Sequence, residues 1–269
     1  MKPELFYGLN QMPFLKKSSY GGLYETEDIR QIRDRLEYLR EIRGIGLFTG
    51  NPGTGKTAAL RSFVQELNPS LYKVVYLHLT TVSAAEFMRQ LAAGLGLEPQ
   101  YRKTDLFRSI QEEIRYLVSG KRCVPVIILD EAQHLSNSIL RDLVMLLNFD
   151  MDSKDYCILV LTGLSSLNRS LKLAINEPLR QRIVVNYHMD GLDRQEAENY
   201  IAFCLEKCGS KEPVFSEDAI EAAWRSCHGS VRTLNSLLSR SMIEGANRRQ
   251  RLINSEIISL AHSDNEIDI

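Results

Sequence analysis

The sequence lacks both an apolar run long enough to cross a membrane and an apolar leader. Its continuous apolar runs, such as Val126–Leu129 and Cys157–Leu161, are short, far below the ~18 residues that a membrane-spanning helix requires. The first residues, Met1–Glu4, lead into no signal-peptide core. Internal repeats and low-complexity stretches are missing as well. We therefore expect a cytoplasmic protein that has no membrane partner.

Neither cysteine nor charge of one sign is abundant. The five cysteines are odd in number and scattered, which is typical of a reducing compartment rather than of a disulfide framework. Cys204 and Cys208 are four residues apart on a predicted helix, and burial in the core is favoured over a metal site because further ligands are missing nearby.

The charges of the chain are nearly balanced. Lys and Arg total 33 against 34 Asp and Glu, so any contact with DNA must come from local basic patches.

Short apolar segments alternate with amphipathic helices through the first two thirds of the chain. With 44% hydrophobic and 25% charged residues, the composition is that of an ordinary globular protein. The predicted strands are Ile45–Thr49, Val74–Leu79, Val124–Leu129, Tyr156–Thr162 and Ile183–His188. This alternation predicts an α/β fold with a parallel sheet flanked by helices.

The pattern changes after Asp190. Strand signals are no longer present, and four helices are predicted to open at Asp193, Ser216, Ser230 and Asn254–Ser255. We therefore predict an α/β domain in residues 1–190, which includes an N-terminal segment and helix in residues 1–43. A small all-helical domain is predicted in residues 191–269.

A glycine-rich loop between the first predicted strand and the next helix matches the P-loop pattern. It reads Gly50-Asn51-Pro52-Gly53-Thr54-Gly55-Lys56-Thr57, and Ala58 continues the helix. Its glycines allow backbone N–H groups to turn toward phosphates without a Cβ in the way. Lys56 supplies a positive charge for the β- and γ-phosphates, and Thr57 offers its hydroxyl to Mg²⁺. The loop predicts a site for ATP and Mg²⁺, with a purely structural loop as the alternative.

Two acidic residues predict the second half of this site. The apolar strand Val126–Leu129 ends in Asp130 and Glu131. Asp130 would lie beside Thr57 and hold Mg²⁺ through water, and Glu131 would polarise a water for attack on the γ-phosphate. The alternative is that both acids merely cap the end of the strand. Hydrolysis is favoured over a kinase activity because the sequence gives no sign of a second substrate site.

These motifs and the helical tail resemble the AAA+ ATPases, and more narrowly their ExeA-like branch of secretion ATPases and TniB- or TnsC-like transposition helpers. Phe6–Leu9 with Pro13–Phe14 is similar to the opening signature of the branch, which in the family lies near the adenine. Asp130–Leu135 resembles its extended Walker B motif. Leu179–Ile183 resembles the segment before the last strand, and Gly229–Asn235 resembles the second sensor. The resemblance implies an AAA+ sheet followed by a helical lid.

The resemblance also implies roles for single residues. Phe14 would lie near the adenine, and Thr162 would be the first sensor, although many relatives carry Asn there. Arg232 would be the second sensor. Arg180 or Arg182 would be the arginine finger that reaches the γ-phosphate of a neighbouring subunit. For each arginine the alternative is an ordinary surface ion pair.

A transposition helper is the function that the resemblance favours. It implies an oligomerising, ATP-dependent DNA-binding ATPase that recruits or regulates a transposase, with double-stranded DNA, a transposase and further copies of the chain as partners in a ring or filament. A secretion-associated ATPase and a nucleotide-dependent signalling switch stay open as alternatives. Secretion members carry a membrane span and a cell-wall-binding extension, so the end of this sequence soon after the lid is expected to favour the transposition helper.

Two short basic clusters are candidates for DNA contacts. Arg102, Lys103 and Thr104 stand between two predicted helices, with Thr104 as the expected cap of the second and Arg108 one turn later. Relatives place DNA-facing groups on this side of the sheet. Such cations neutralise phosphates without reading bases. Asn247–Arg251 is a weaker second candidate, and a solvated surface is the alternative for both.

Overall fold

The computed structural model describes residues 2–15, 23–78, 81–98, 100–151 and 153–263. The chain divides into two compact units. The α/β unit comprises Glu27–Asn51 and Lys56–Met189. The helical unit comprises the described parts of residues 1–26 and 190–269 together with the tip of the P-loop, Pro52–Gly55.

The α/β unit contains a five-stranded sheet in which all neighbouring strands are parallel. Its strands are β1 (Gly44–Gly50), β2 (Tyr72–Leu77), β3 (Val124–Leu129), β4 (Ile158–Gly163) and β5 (Ile183–Met189). Their order across the sheet is β2-β3-β4-β1-β5. The predicted parallel sheet is confirmed, and Leu79, the predicted end of the second strand, lies outside the described residues.

Twelve α-helices occur in the described part of the chain. They are α1 (Pro3–Phe6), α2 (Glu27–Ile42), α3 (Lys56–Glu66), α4 (Ala84–Gly94), α5 (Lys103–Ser119), α6 (Asn137–Leu146), α7 (Ser166–Leu171), α8 (Glu177–Gln181), α9 (Arg194–Lys207), α10 (Glu217–Cys227), α11 (Val231–Asn247) and α12 (Ser255–Ser263). Short 3-10 turns at Ala132–His134 and Ala174–Asn176 precede α6 and α8. The sequence does not predict the short helices α1, α7 and α8, because four to six residues carry too little periodicity.

Helices cover both faces of the sheet, which explains why its central strands are apolar without alternation. Successive residues of a strand point to opposite faces. In β3, Ile127 and Leu129 therefore belong to one buried cluster with α4, α5 and α6, while Val126 and Ile128 belong to a second cluster with α2 and α3.

The register of the sheet brings three chain segments to one edge. Leu129 at the end of β3 pairs with Leu161 of β4, and Phe48 of β1 pairs with Thr162. Parallel strands all end on the same side, so the P-loop after β1, Asp130 after β3 and Thr162 in β4 lie at the carboxyl edge of the sheet.

The helical unit has its own apolar core, and its helices begin at caps that the sequence predicts. Asp193 and Glu196 form a reciprocal capping box at α9. Ser230 accepts a hydrogen bond from the Thr233 N–H at the start of α11. Cys204 and Cys208 are buried in this core as free thiols, which confirms their predicted burial.

The N-terminal segment differs from the predicted domain organisation. The sequence pattern assigns residues 1–43 to the α/β domain, but the described residues up to 26 group with the helical unit. The physical reason is burial, because Leu9 and Phe14 are each only 4% exposed within the helical core.

Membrane-spanning helices and clusters of metal ligands are both absent from the described residues. In those residues, no helix combines the length and the apolarity needed to span a membrane. Over the same part of the chain, no group of three or more His, Cys, Asp or Glu side chains is arranged to hold a metal ion. The cytoplasmic location stays a prediction.

Candidate functional site

Lys56 lies at the base of the P-loop as the first residue of α3 and is 8% exposed. Its ammonium donates to the carbonyl oxygens of Gly50 at 2.9 Å and Asn51 at 2.8 Å. A buried ammonium is tolerated only where hydrogen-bond acceptors replace water. The loop backbone therefore holds the Lys56 charge at the carboxyl end of β1.

The tip of the P-loop, which belongs to the helical unit, is hydrogen-bonded to the start of α11. The Gly53 carbonyl accepts a hydrogen bond from the Arg232 N–H at 3.3 Å. Gly53 has φ +80°, and a Cβ there would lie 2.4 Å from Ser230 Oγ and 2.9 Å from Arg232 Cβ. Glycine at position 53 is thus required both by the backbone conformation and by the close approach of Ser230.

Thr57 and Asp130, the two predicted metal ligands, are in direct contact. The Thr57 hydroxyl donates to Asp130 Oδ2 at 3.0 Å. The same oxygen accepts a hydrogen bond from the Tyr76 hydroxyl at 2.7 Å. Burial, and then the hydrogen bond to Asp130, raise the pKa of Tyr76 above its ordinary value, so its phenol stays protonated and donates. Asp130 is thereby oriented by two hydroxyl groups.

Tyr76 is a site residue that sequence reasoning missed. It lies on β2 and pairs with Ile128, two residues before Asp130. The signal that could have found it is its place near the end of the strand next to β3, where a polar side chain can reach the residue that follows β3. Tyr76 is 46% exposed, and its ring stacks on His78.

Glu131 is exposed, directly follows Asp130 and has a left-handed backbone with φ +55°. Its N–H donates to Asp130 Oδ1 at 2.9 Å. Its carboxylate accepts a hydrogen bond from the Gln133 amide at 2.7 Å. Gln133 is the second site residue that sequence reasoning missed, because the sequence indicates only its place in the extended Walker B segment.

Thr162 is fully buried in β4, directly after Leu161, which pairs with Leu129 of β3. Its hydroxyl has no hydrogen-bond partner among the residues that the structure describes. Buried polar groups normally have a hydrogen-bond partner, so the Thr162 hydroxyl is an exception. A conservative replacement of Thr162 can therefore test whether this hydroxyl has a role in the site.

The three predicted arginines have different surroundings. Arg180 on α8 is exposed and forms an ion pair with Glu177 at 3.5 Å. Arg182 is half-buried and donates to the Val144 carbonyl at 3.1 Å. Arg232 is exposed at the second position of α11. An exposed ion pair is weak, so Arg180 is easier to release than Arg182.

Phe14 lies in the core of the helical unit. It is 4% exposed, and its ring centroid is 6.1 Å from that of Phe215. Its burial accounts for the aromatic residue at this position through packing alone, and the proposed proximity to adenine stays a prediction.

The first basic cluster begins α5 rather than forming a loop before it. Arg102 occupies the N-cap position that the sequence pattern assigns to Thr104, and Lys103 is the first helical residue. The Lys103 ammonium is 2.6 Å from Asp142 Oδ2 on α6. Arg102, Thr104 and Arg108 are exposed. Lys103 is therefore partly neutralised within the protein, and the two arginines carry the charge of this cluster.

The second basic cluster is engaged within the helical unit. Arg248 forms an ion pair with Glu244 at 2.5 Å. The Arg251 guanidinium lies 6.0 Å from the centroid of the Phe6 ring. These contacts make the cluster a weaker candidate for DNA than the start of α5.

Comparison with known proteins finds one matching family and two related proteins of interest. The family, described as "AAA domain", matches residues 39–171. General secretion pathway protein A of Aeromonas hydrophila is 30% identical over 262 residues, which cover 95% of this chain and 47% of that protein. ATP-dependent target DNA activator B of Escherichia phage Mu is 28% identical over 123 residues, covering 45% of this chain and 37% of that protein. The chain thus spans less than half the length of these relatives.

The fold also has a counterpart among solved structures. The crystal structure of Cdc6p from Pyrobaculum aerophilum superposes with a TM-score of 0.70 over 96% of this chain and 71% of that one. The two sequences are 17% identical. At this identity the similarity establishes a shared fold.

Proposed function

The chain belongs to the AAA+ proteins, with an AAA domain in residues 39–171, and on that basis we propose that it binds ATP with Mg²⁺ and hydrolyses ATP. The observation that carries this proposal is the contact between Thr57 and Asp130 at 3.0 Å beside the buried Lys56. Hydroxyl and carboxylate oxygens are the ligands that Mg²⁺ prefers, and a glycine-rich loop with a lysine suits phosphates. The residues present therefore fit both groups.

Each predicted residue takes a role in this proposal. The backbone of Gly50–Ala58 surrounds the phosphates and Lys56 neutralises the β- and γ-phosphates. Thr57 and Asp130 hold Mg²⁺, which when bound neutralises charge on the phosphate oxygens. Glu131 takes the proton of the attacking water, and the Thr162 hydroxyl hydrogen-bonds that water or the γ-phosphate.

Arg232 and Arg180 complete the proposed site. Arg232 acts as the second sensor, supported by the hydrogen bond of its backbone to the P-loop residue Gly53. Arg180 acts as the finger in a homo-oligomer, supported by its exposure and its weak ion pair with Glu177.

Replacement of Thr162 by valine tests its proposed role. Valine keeps the shape of threonine but removes a buried hydroxyl that lacks a described partner. We expect the free energy of unfolding without nucleotide to rise by about 1 kcal/mol, and kcat for ATP to fall by about tenfold or more. Denaturant unfolding and phosphate release measure the two effects.

Thr49→Val is the matched control for stability. Thr49 is equally buried in β1, but its hydroxyl accepts from Asn168 at 3.1 Å and contacts His188 Nδ1 at 2.9 Å. Valine at position 49 should therefore destabilise the protein. Equal destabilisation by both substitutions would contradict the view that the Thr162 hydroxyl is unpaired without nucleotide.

We further propose that the protein is a transposition helper, which binds double-stranded DNA as an ATP-dependent oligomer and recruits or regulates a transposase. This proposal is supported by the similarity to a protein named as a target DNA activator and by the exposed cations at the start of α5. A secretion-associated ATPase is the second candidate, because the similarity to General secretion pathway protein A covers 95% of the chain.

DNA binding distinguishes the two candidates. We expect wild-type protein with a non-hydrolysable ATP analogue to bind duplexes of unrelated sequence, with an affinity that falls steeply as salt increases. Arg102→Ala with Arg108→Ala should weaken binding to all sequences alike and flatten the salt dependence, by about 0.9 in slope for each phosphate that the protein no longer neutralises. Fluorescence anisotropy across a salt series measures both quantities.

Two further variants locate the contact. Lys103→Ala should have a smaller effect than the arginine pair, since Asp142 already neutralises Lys103. Arg40→Ala, which removes an arginine paired with Glu37 on α2, is the control for a general loss of charge. If the double variant of Arg102 and Arg108 binds DNA as well as Arg40→Ala does, the start of α5 does not contact DNA. If wild type binds no DNA even at low salt, the transposition proposal fails and the secretion candidate replaces it.

A further inference from the structure

The Gln133 side chain bridges Glu131 and the end of β4. Its Nε2 donates to Glu131 Oε2 at 2.7 Å, and its Oε1 accepts from the Leu164 N–H at 3.0 Å. The opposite orientation of the amide would set its NH₂ group against the Leu164 N–H and its oxygen against a carboxylate. The two partners therefore determine one orientation of the amide, in which both its nitrogen and its oxygen form a hydrogen bond.

Gly163 provides the space that the Gln133 amide fills. A Cβ at position 163 would lie 2.4 Å from Gln133 Oε1 and 3.3 Å from the backbone nitrogens of Ala132 and Gln133. Gly163 is the last residue of β4, directly after Thr162. The nearest obstacle is the Gln133 amide itself, so a side chain at position 163 would have to displace this amide.

The backbone around Glu131 is already held by local geometry, whereas its carboxylate lies at the end of a flexible side chain. The left-handed backbone and the N–H bond to Asp130 Oδ1 orient the main chain at residue 131. Fixing a long side chain such as Glu requires further contacts, because its rotamers are many. A hydrogen bond from a neutral amide to a charged carboxylate is stronger than a hydrogen bond between two neutral groups.

We propose that Gln133 is a positioning residue for ATP hydrolysis, which holds the Glu131 carboxylate and ties it to the strand that carries Thr162. This inference rests on the proposed function, because it requires Glu131 to be the group that activates water. The Leu164 N–H lies two residues after Thr162, so one amide connects the proposed base to the strand of the proposed first sensor. Loss of Gln133 should impair turnover and leave nucleotide binding intact.

Gln133→Met is the primary test, since methionine has a similar length and lacks both hydrogen bonds. We expect kcat to fall by about 10- to 100-fold, with KM and the affinity for an ATP analogue unchanged. Gln111→Met is the matched control. The Gln111 amide also bridges to backbone carbonyls, including Leu146 at 3.1 Å, but belongs to α5 and is not assigned to the site. It should leave kcat unchanged.

Gly163→Ala tests the same contact from the other side. The added methyl group should displace the Gln133 amide and lower kcat in the same way. Because both substitutions break one contact, Gln133→Met combined with Gly163→Ala should be no slower than the slower single variant. Multiplicative losses in the double variant would instead indicate two independent effects and contradict the bridge.

Failure of this inference can be separated from failure of the proposed function. If Glu131→Gln blocks hydrolysis while Gln133→Met turns over like wild type, only the positioning role is wrong. If Gln133→Met loses nucleotide affinity and thermal stability together with kcat, its role is structural and the inference is overturned. If Glu131→Gln hydrolyses ATP at the wild-type rate, or the wild type shows no hydrolysis, the proposed function itself fails.

Discussion

Lys56→Ala is expected to abolish ATP binding, whereas Glu131→Gln should preserve binding and stop turnover. The Lys56 ammonium is the buried cation at the base of the P-loop, held by the Gly50 and Asn51 carbonyls. Without it, the β- and γ-phosphates would meet carbonyl oxygens that repel them. Glutamine at position 131 keeps an oxygen that can accept from Gln133, but an amide cannot take a proton from water.

Two measurements separate these effects. Titration with a fluorescent ATP analogue should show no saturable binding by Lys56→Ala and wild-type binding by Glu131→Gln. Phosphate release by Glu131→Gln should fall by about 10²-fold or more, the usual contribution of a general base. Circular dichroism confirms that both variants are folded. A wild-type protein that binds ATP without measurable turnover would favour the signalling-switch alternative.

Hydrolysis per subunit should rise with protein concentration and should collapse in Arg180→Ala. Charge supplied across an interface by an arginine finger is worth about 10³-fold or more in phosphoryl transfer. Arg180 suits this role better than Arg182, since its side chain is exposed and its ion pair with Glu177 is weak. Arg182 donates to the Val144 carbonyl, so Arg182→Ala should lower stability as well as activity.

Mixing inactive variants tests whether the arginine acts on a neighbouring subunit. Arg180→Ala subunits keep an intact P-loop, and Lys56→Ala subunits keep an intact finger, so a mixture should recover part of the activity. The same mixture with Arg182→Ala tests the other arginine. Activity that is independent of concentration, with no recovery in either mixture, would show that neither residue is a finger in trans.

The sequence by itself determined the features that depend on neighbouring residues along the chain. Buried parallel strands such as Val124–Leu129 are short apolar runs, and their alternation with helices specified the parallel sheet. The capping box of Asp193 and Glu196 spans three residues and was equally predictable. The P-loop is a contiguous motif as well. Local spacing carries the necessary information in each case.

Only the tertiary structure decided the features that depend on side chains distant in sequence. Tyr76 reaches Asp130 because β2 and β3 are neighbours, and Gln133 reaches Leu164 because β4 ends beside the 3-10 turn. Phe14 is buried beside Phe215, about 200 positions later in the chain, and the sequence pattern alone does not indicate this contact. The spacing of residues along the chain does not predict such contacts, because they follow from the order of the strands and from the burial of apolar surface during folding.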